Sequence, residues 1–373
     1  MAKSLNIFVA LITSYILFFS CEKEQKRTSV PKPELAKEMA TPQKDTLHIV
    51  AVGDIMIGSA FPSKAYLPKD DGIRSFDKVK EYLKGNVVFG NLEGCFLDQG
   101  DSEKCKDHHK KSNVVTCYAF RMPTRYGKVI KDAGFNTLSI ANNHVGDFGN
   151  AGRKKTAEIL DDLNIHYAGQ TEKPYDIFEI EGVKYGFCAF APNKNTVSIN
   201  KISEAQELVK DLKTKSDIVI VSFHGGAEGA KHTRVPKTKE IFYGENRGDV
   251  HHFAHSVVDA GADIVLGHGP HVTRAVEVYK DKLIAYSLGN FNTYGKFNLK
   301  GPNGIAPILD IKVDRKGNFL FAHVISTKQT KSAGLQIDEN AQAFKAIKEL
   351  TSLDFPNNAL LFTDNKILLN TKT

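Results

Sequence analysis

The sequence predicts an α/β fold in which strands and helices alternate and build a layered sandwich. From Leu47 onward, short apolar runs rich in β-branched residues alternate with amphipathic segments of helical period, a pattern typical of βαβ units and a largely parallel sheet. Three antiparallel hairpins interrupt the alternation, which favours a layered sandwich over a closed α/β barrel. The 373 residues are 41% hydrophobic and 25% charged, so disordered, collagen-like and small disulfide-rich proteins are excluded.

The first 21 residues predict an export signal. Lys3 supplies a positive start, and an apolar run ends just before Cys21, where the chain turns abruptly polar. This order resembles a bacterial lipoprotein signal, in which the Cys becomes the lipidated N-terminus. An ordinary cleaved signal peptide with a bystander Cys is the alternative. Both interpretations predict an extracytoplasmic protein. The lipoprotein signal also predicts a lipid anchor in the bacterial membrane. Residues 22–45, with prolines among charged residues, predict a flexible tether.

Apolar runs predict the strands, and amphipathic segments predict the helices between them. The predicted parallel strands are His48–Val52, Val87–Phe89, Thr137–Ile140, Asp217–Phe223 and Asp263–Leu266. The predicted helices are Phe76–Leu83, Tyr126–Ala133, Ala151–Leu163, Ser203–Thr214 and Val250–Ala260. The hairpins are predicted within residues 178–190, 275–287 and 308–325. Residues 46–330 are expected to form one domain, on which residues 331–373 pack as a C-terminal extension.

Each predicted parallel strand is followed by side chains that can bind a metal ion. These side chains are Asp54, Glu93, Asn143, His224, His268 and His271. Because the carboxyl ends of parallel strands share one edge of a sheet, the six are expected to converge. Carboxylate, amide and imidazole groups together suit Zn, Mn or Fe, and six ligands suit two ions bridged by a carboxylate. Taken singly, each residue is better explained as a cap, a turn or a surface residue.

Four cysteines follow Cys21, and in an oxidising compartment they allow three pairings. Cys105 and Cys117 flank a polar loop and are candidates for a disulfide. Cys95 and Cys188 lie in apolar runs, which is typical of buried free thiols. Their connectivity stays open at this point.

The net charge and the histidines outside the strand ends do not indicate a functional site. The formal charge of +7 is spread along the chain, and basic residues alternate with acidic ones, so no nucleic-acid partner is expected. The cluster Asp107–Lys110 fits a solvated loop. His251, His252 and His255 fall on a predicted helix, one face of which is expected to be core.

The strand-end residues lie in motifs that resemble a known family, the CapA or poly-gamma-glutamate capsule synthesis proteins, which are similar to calcineurin-like metallophosphoesterases. The motifs are Val52–Asp54, Gly90–Gly94, Ala141–Gly149, His224–Glu228, Gly261–Val272 and Tyr286–Phe291. The resemblance implies a four-layer α-β-β-α sandwich with a divalent, dinuclear metal centre between strand ends. It implies that Asp54 is the first aspartate ligand, that Glu93 is the bridging carboxylate, and that Asn143, His224, His268 and His271 complete the ligand set.

The resemblance also implies roles for residues next to these ligands. His144 would protonate a leaving group, Asp147 would orient His144, and Glu228 would act as a base or a hydrogen-bond acceptor. Asn290 is expected to face the same cleft. Arg247 is a candidate for binding a carboxylate or phosphate of the substrate, with ordinary surface charge as the alternative.

Two positions depart from the phosphoesterase pattern. Met56 stands where a His is usual, and Glu93 stands where a bridging Asp is usual. Many members of the family also have a His where Gly269 stands, which leaves His268 either as the substitute ligand or outside the ligand shell.

The process implied by the resemblance is the synthesis or export of a capsule or another extracellular polymer such as poly-gamma-glutamate. Three activities fit that process: a metal-dependent hydrolase, a non-catalytic lipoprotein that binds the polymer, and a periplasmic metallophosphoesterase acting on nucleotides or other phosphoesters. The expected partners are an anionic polymer or small-molecule substrate, the membrane, and membrane proteins of capsule synthesis.

Overall fold

The computed structural model of the protein describes residues 46–102, 104–105 and 117–370. The predicted signal and tether, with Cys21, lie outside the described residues, as does the predicted loop Asp107–Lys110. Among the described helices, none is both long enough and apolar enough to cross a membrane.

The described residues form the strands and helices that follow. The strands are β1 (Thr46–Met56), β2 (Val87–Leu92), β3 (Cys95–Phe96), β4 (Arg121–Met122), β5 (Thr137–Ser139), β6 (His166–Ala168), β7 (Tyr175–Ile180), β8 (Val183–Phe190), β9 (Ile218–His224), β10 (Ile241–Phe242), β11 (Glu245–Asn246), β12 (Ile264–His268), β13 (Val276–Tyr279), β14 (Lys282–Ala285), β15 (Asn290–Thr293), β16 (Ile305–Asp314), β17 (Phe319–Thr330), β18 (Gly334–Ile337), β19 (Leu360–Thr363) and β20 (Lys366–Leu369). The helices are α1 (Tyr126–Ala133), α2 (Gly149–Asp162), α3 (Ile202–Lys215), α4 (Val250–Asp259) and α5 (Gln342–Asp354).

Two large mixed sheets organise these elements. The larger sheet has the order β19-β20-β17-β16-β1-β2-β5-β6, with β15 beside β1 and β18 beside β17, and the smaller has the order β13-β14-β12-β9-β8-β7. Strands β1, β2, β5 and β6 are parallel, as are β8, β9, β12 and β14. The predicted parallel strands and the three hairpins are therefore confirmed, and the hairpins extend the edges of both sheets.

The two sheets pack face to face. Ile49 of β1 and Phe89 of β2 belong to the same buried core as Ile220 of β9 and Leu266 of β12. All four side chains are fully buried. Because side chains alternate along a strand, the neighbours of these residues point to the outer faces of the sheets.

Helices cover both outer faces. Val50, the neighbour of Ile49 in β1, shares a core with Ile130 of α1 and Leu160 of α2. On the smaller sheet, Val219 of β9 shares a core with Phe253 of α4, and α3 contacts β8 and β9. The layers therefore run helix, sheet, sheet, helix, and the predicted four-layer α-β-β-α sandwich is confirmed.

The predicted helix Phe76–Leu83 is wrong. The segment consists of turns with a short 3-10 helix at Lys80–Tyr82, although Phe76, Val79 and Leu83 are buried as its pattern requires. Backbone bonds from Val79 to Phe76 and from Leu83 to Lys80 join residues three apart, and one from Lys80 to Phe76 joins residues four apart. A 3-10 turn places residues i and i+3 on one face, so Phe76 and Val79 share a buried face without a regular α-helix.

Asp310 on β16 gives the stability of the fold a pH dependence. His48 Nε2 and Lys312 Nζ each lie 2.5 Å from its Oδ1, and His323 Nδ1 lies 3.7 Å from its Oδ2. Burial alone raises the pKa of this carboxyl, but its contacts with His48 and Lys312 prevail and lower the pKa from 3.8 to about 2. A depressed carboxyl pKa stabilises the folded state above the unfolded pKa, and this stability is lost as pH falls through the folded pKa.

The variant Asp310→Asn is therefore expected to lose about 2 kcal/mol of unfolding free energy at pH 7. The difference from the wild type is expected to shrink below pH 4, as the wild-type carboxyl begins to be protonated in the unfolded chain. Urea unfolding of both proteins between pH 7 and pH 3 measures this difference. A difference that stays constant across that range would contradict the assignment.

Candidate metal centre

The predicted ligands meet at one end of the interface between the two sheets. Asp54 lies near the end of β1, and Glu93 follows β2 in the larger sheet; in the smaller sheet His224 ends β9 and His268 ends β12, where the two are paired in register. Asp54 is also paired with Asn290 of β15. The packing of the two sheets brings Asp54 and His268 together across 214 positions of sequence, because both sheets end their central strands at the same edge.

Gly53 lets Asp54 reach this position. A Cβ atom at Gly53 would lie 1.9 Å from the backbone oxygen of Gly289 and 2.5 Å from that of Leu288. With no side chain there, β1 approaches the turn before β15 closely enough for the Asp54 N–H to donate to the Gly289 oxygen at 2.9 Å. Only glycine allows this backbone approach.

Asp54 connects the two sheets through its carboxylate. Its Oδ1 lies 3.2 Å from His268 Nδ1, and its Oδ2 lies 2.9 Å from His271 Nδ1. Asp54 and His268 are almost completely buried. His271 has a left-handed backbone with φ of 57°, which directs the chain out of the turn after β12 and places its side chain beside Asp54.

Two asparagines that the sequence did not single out hold the carboxylates in place. Asn91 Nδ2 donates to Asp54 Oδ1 at 2.9 Å and to Glu93 Oε2 at 2.5 Å. Asn142 Nδ2 donates to Asn91 Oδ1 at 3.0 Å. Asn91 is paired in register with Asp54, so its position one strand away from a predicted ligand was the signal that could have identified it.

Burial and crowding of charge shift the pKa values of these groups. Burial and the charge of Asp54 raise the pKa of Glu93 to about 8. Hydrogen bonds from His268 and His271 outweigh the effect of burial and hold the pKa of Asp54 well below its usual range. Burial, followed by the charge of Arg247, lowers the pKa of His224 well below 6.5. Carboxyl groups forced together away from water form a site that a bound cation would stabilise.

Several buried oxygen and nitrogen atoms of the centre make no hydrogen bond. Their chemistry shows whether the centre fits a metal ion. Within the described residues, Glu93 Oε1, Asn143 Oδ1, His224 Nδ1 and His268 Nε2 are buried and have no hydrogen-bond partner. Buried polar atoms are nearly always paired. Carboxylate and amide oxygens with imidazole nitrogens are the atoms that borderline divalent metals bind. The donor set therefore fits a divalent ion.

His144 and Asp147 form a buried pair beside these ligands. His144 Nδ1 lies 2.7 Å from Asp147 Oδ2, which also accepts a 2.8 Å hydrogen bond from the Phe120 N–H. The ring of His144 packs against that of Phe120, with 4.1 Å between their centroids. Burial lowers the pKa of His144. Because Asp147 occupies Nδ1, the free ring nitrogen is Nε2.

A cavity of about 860 Å³ opens onto the centre. Its lining includes the predicted residues Asn143, His144, Glu228, Arg247, His271 and Asn290. Asp147 lies outside this lining and acts on the cavity through its hydrogen bond to His144. Asn290 Nδ2 donates to the backbone oxygens of His271 and Asn303, at 3.1 and 3.0 Å, which leaves its buried Oδ1 unpaired.

Arg247 is buried, and its guanidinium contacts the protein itself. Its Nη2 lies 3.0 Å from Glu228 Oε1 and 3.2 Å from His224 Nε2, and its Nε donates to the backbone oxygen of Gly226. The contact with Glu228 makes Arg247 a residue that positions Glu228 at the wall of the cavity.

Cys105 and Cys117 are joined by a disulfide, and Cys95 and Cys188 are buried free thiols. Cys117 and its neighbour Tyr118 line the cavity. The disulfide therefore links one rim of the cavity covalently to Cys105.

Comparison with known proteins identifies relatives of this chain. The family model described as "Bacterial capsule synthesis protein PGA_cap" matches residues 48–294. "Capsule biosynthesis protein CapA" of Bacillus anthracis is 30% identical over 287 residues, which cover 71% of this chain and 64% of that protein. "PGA biosynthesis protein CapA" of Bacillus subtilis (strain 168) is 28% identical over 308 residues, which cover 77% of this chain and 72% of that protein.

Among solved structures, a putative 5'-nucleotidase from Staphylococcus aureus in complex with alpha-ketoglutarate matches 82% of this chain and 58% of its own, with 16% identity and a TM-score of 0.41. The match to the B. anthracis protein spans less than two thirds of that relative's length. The family model, by contrast, covers more than half of this chain and contains all six predicted ligands. The chain belongs to the PGA_cap family of bacterial capsule synthesis proteins.

Proposed function

We propose that this protein is a metal-dependent hydrolase of the cell envelope that acts on an anionic substrate during capsule or poly-gamma-glutamate biosynthesis. The observation that carries the proposal is the set of unpaired buried donor atoms on Glu93, Asn143, His224 and His268, placed beside the Asp54 carboxylate at the base of a large cavity. Family membership supports the process, and the donor set supports the chemistry.

The side chains divide into those that would hold the ion and those that would handle protons. Asp54, Glu93, His224 and His268 would hold it, with Asn143 and His271 completing the set on the cavity side. A divalent ion bound there supplies Lewis-acid activation of water and offsets charge that develops on a phosphoryl or carbonyl oxygen.

His144 is placed to exchange a proton with the leaving group. It lines the cavity, while Asp147 fixes the ring through Nδ1 at 2.7 Å. Glu228, held by Arg247, lies 3.9 Å from His271 Nε2 and would accept a hydrogen bond from the attacking water or from the substrate.

Two lysines support an anionic substrate. Lys104 and Lys296 both line the cavity. Lys296 is partly buried between the rings of Phe61 and Tyr66, at 5.9 and 5.1 Å from their centroids, and burial lowers its pKa. A carboxylate or phosphate entering the cavity would stabilise the charged form of this lysine.

Replacing Asp147 with Asn tests the proposed role of His144 in hydrolysis. The neutral amide that the variant Asp147→Asn carries cannot stabilise a protonated His144, so we expect kcat on the responsive substrate to fall about 10- to 100-fold while bound metal is unchanged. The assay measures product release from chromogenic phosphoesters, nucleotides and γ-glutamyl peptides. Asp98→Asn is the matched control, because Asp98 accepts hydrogen bonds from Thr124 outside the cavity lining.

Three outcomes separate the candidate activities. Release of product from γ-glutamyl substrates supports polymer hydrolysis, and release from nucleotides supports a periplasmic phosphoesterase. A metal-loaded protein that binds poly-gamma-glutamate but turns over neither class would contradict the hydrolase and favour a non-catalytic binding lipoprotein.

We also propose that Cys21 carries a lipid anchor and that residues 22–45 tether the domain to the membrane on its extracytoplasmic side. The position of Cys21 between an apolar and a polar segment supports this. In Cys21→Ala, labelled fatty acid is expected to disappear from the protein, and the protein is expected to leave the membrane fraction. Cys188→Ala is the control. Equal labelling of Cys21→Ala and the wild type would contradict the anchor.

A further inference from the structure

A second group of metal-binding side chains lies on the helix-covered face of the smaller sheet. His251 and His255 belong to α4, and Glu277 belongs to the edge strand β13. Each offers one donor atom, and the three atoms all lie within 4.8 Å of one another. None of the three residues lines the cavity of the candidate metal centre.

The spacing on α4 explains why the two histidines meet. Residues four apart lie on the same face of a helix, and the rings of His251 and His255 are 4.2 Å apart between centroids. His255 Nε2 lies 2.9 Å from Glu277 Oε2. In a tetrahedral zinc site the donor atoms are about 3.3 Å apart, so only small side-chain rotations separate this arrangement from a ligating one.

Neighbouring aromatic residues hold the three side chains in position. The Tyr286 hydroxyl donates to Glu277 Oε2 at 2.7 Å. Tyr279 stacks on His255 with 3.8 Å between centroids, and Tyr286 is nearly parallel to His251 with an interplanar angle of 10°. Such surrounding contacts orient ligands before an ion binds and raise metal affinity.

The site is also accessible to an ion. The side chains of His255 and Glu277 are 22% and 13% exposed, so an ion can enter and water can fill the remaining position.

We propose that His251, His255 and Glu277 form a second metal site, which takes a divalent transition metal such as Zn²⁺ and joins α4 to the edge strand β13. Two imidazoles and one carboxylate suit Zn²⁺ and its neighbours, whereas Ca²⁺ and Mg²⁺ prefer sites built from oxygen alone. The site is independent of the proposed hydrolase, because it shares no residue with it.

The test measures zinc binding to the full-length chain, purified with a tag that contains no histidine. His251→Gln and Glu277→Gln are each expected to bind one equivalent of Zn²⁺ fewer than the wild type by isothermal titration calorimetry. His252→Gln is the matched control, because His252 is exposed on the same helix and is not among the three ligands. The control is expected to bind as many equivalents as the wild type.

Thermal unfolding in the presence of chelator establishes that each variant folds, and it provides a second readout. Added Zn²⁺ is expected to raise the Tm of the wild type and of His252→Gln by more than that of His251→Gln, whereas Ca²⁺ is expected to raise none of them through this site. Equal zinc stoichiometry in the wild type, His251→Gln and Glu277→Gln would overturn the proposal. An equal loss in His252→Gln would overturn it as well.

Discussion

Replacing Asp54 with Ala is expected to abolish metal retention at the candidate centre and to lower hydrolysis about 1,000-fold. Loss of a group that only orients a ligand costs about 10- to 100-fold in metal affinity or activity, and removal of a direct electrostatic partner of the transition state costs about 100- to 1,000-fold. Asp54 orients its neighbours, because its two oxygens contact His268, His271 and Asn91. As a proposed ligand it would also act on the ion directly. Bound metal is measured by mass spectrometry, and activity is measured on the substrate that the wild type hydrolyses.

Asp310→Asn is the control for Asp54→Ala. Asp310 lies in β16, which pairs with β1, but it is absent from both the centre and the cavity lining. It is expected to retain metal and activity despite its lower stability. Unchanged metal content and activity in Asp54→Ala would contradict the assignment of Asp54 as a ligand.

Replacing Arg274 with Met is expected to destabilise the protein by about 3 to 5 kcal/mol. The guanidinium of Arg274 is fully buried and donates to both carboxylate oxygens of Glu240, at 2.9 and 2.8 Å, and to the backbone oxygen of His232 at 2.8 Å. Removing it leaves the buried Glu240 carboxylate without its partner. Urea denaturation measures the free energy of unfolding.

Two further variants show whether the unpaired Glu240 carboxylate causes the loss of stability in Arg274→Met. The double variant Arg274→Met with Glu240→Gln is expected to be more stable than Arg274→Met alone, because it removes the unpaired charge. Arg74→Met breaks an ion pair with Asp77 whose side chains are 77% and 53% exposed, and it is expected to change stability by less than about 1 kcal/mol. Equal destabilisation by Arg74→Met and Arg274→Met would contradict this account.

Much of the candidate centre could be predicted from the sequence because its residues follow strands with clear apolar patterns. Asp54, His224 and His268 each stand at the end of such a run, and parallel strands that end at one edge bring their last residues together. The centre could be predicted because it depends on a few strands, which hydrophobic patterning locates, and on their parallel direction, which the alternation of strands with helices indicates.

The features that the sequence did not predict depend on contacts between distant segments. Asn91 holds two carboxylates at once, yet an asparagine after a strand is equally typical of a turn. The segment from Phe76 to Leu83 buries its apolar side chains at a spacing that fits both an α-helix and 3-10 turns. The histidines of α4 acquire a third partner only through Glu277, which comes from a strand 22 residues after His255.

A divalent metal held by the strand ends of the two sheets would be located by anomalous diffraction from crystals grown with Mn²⁺ or Zn²⁺. Anomalous peaks are expected between Asp54, Glu93, His224 and His268, and these peaks are expected to disappear in crystals of Asp54→Ala. Crystals that show strong peaks at other positions and none among these four side chains would contradict the proposed metal centre.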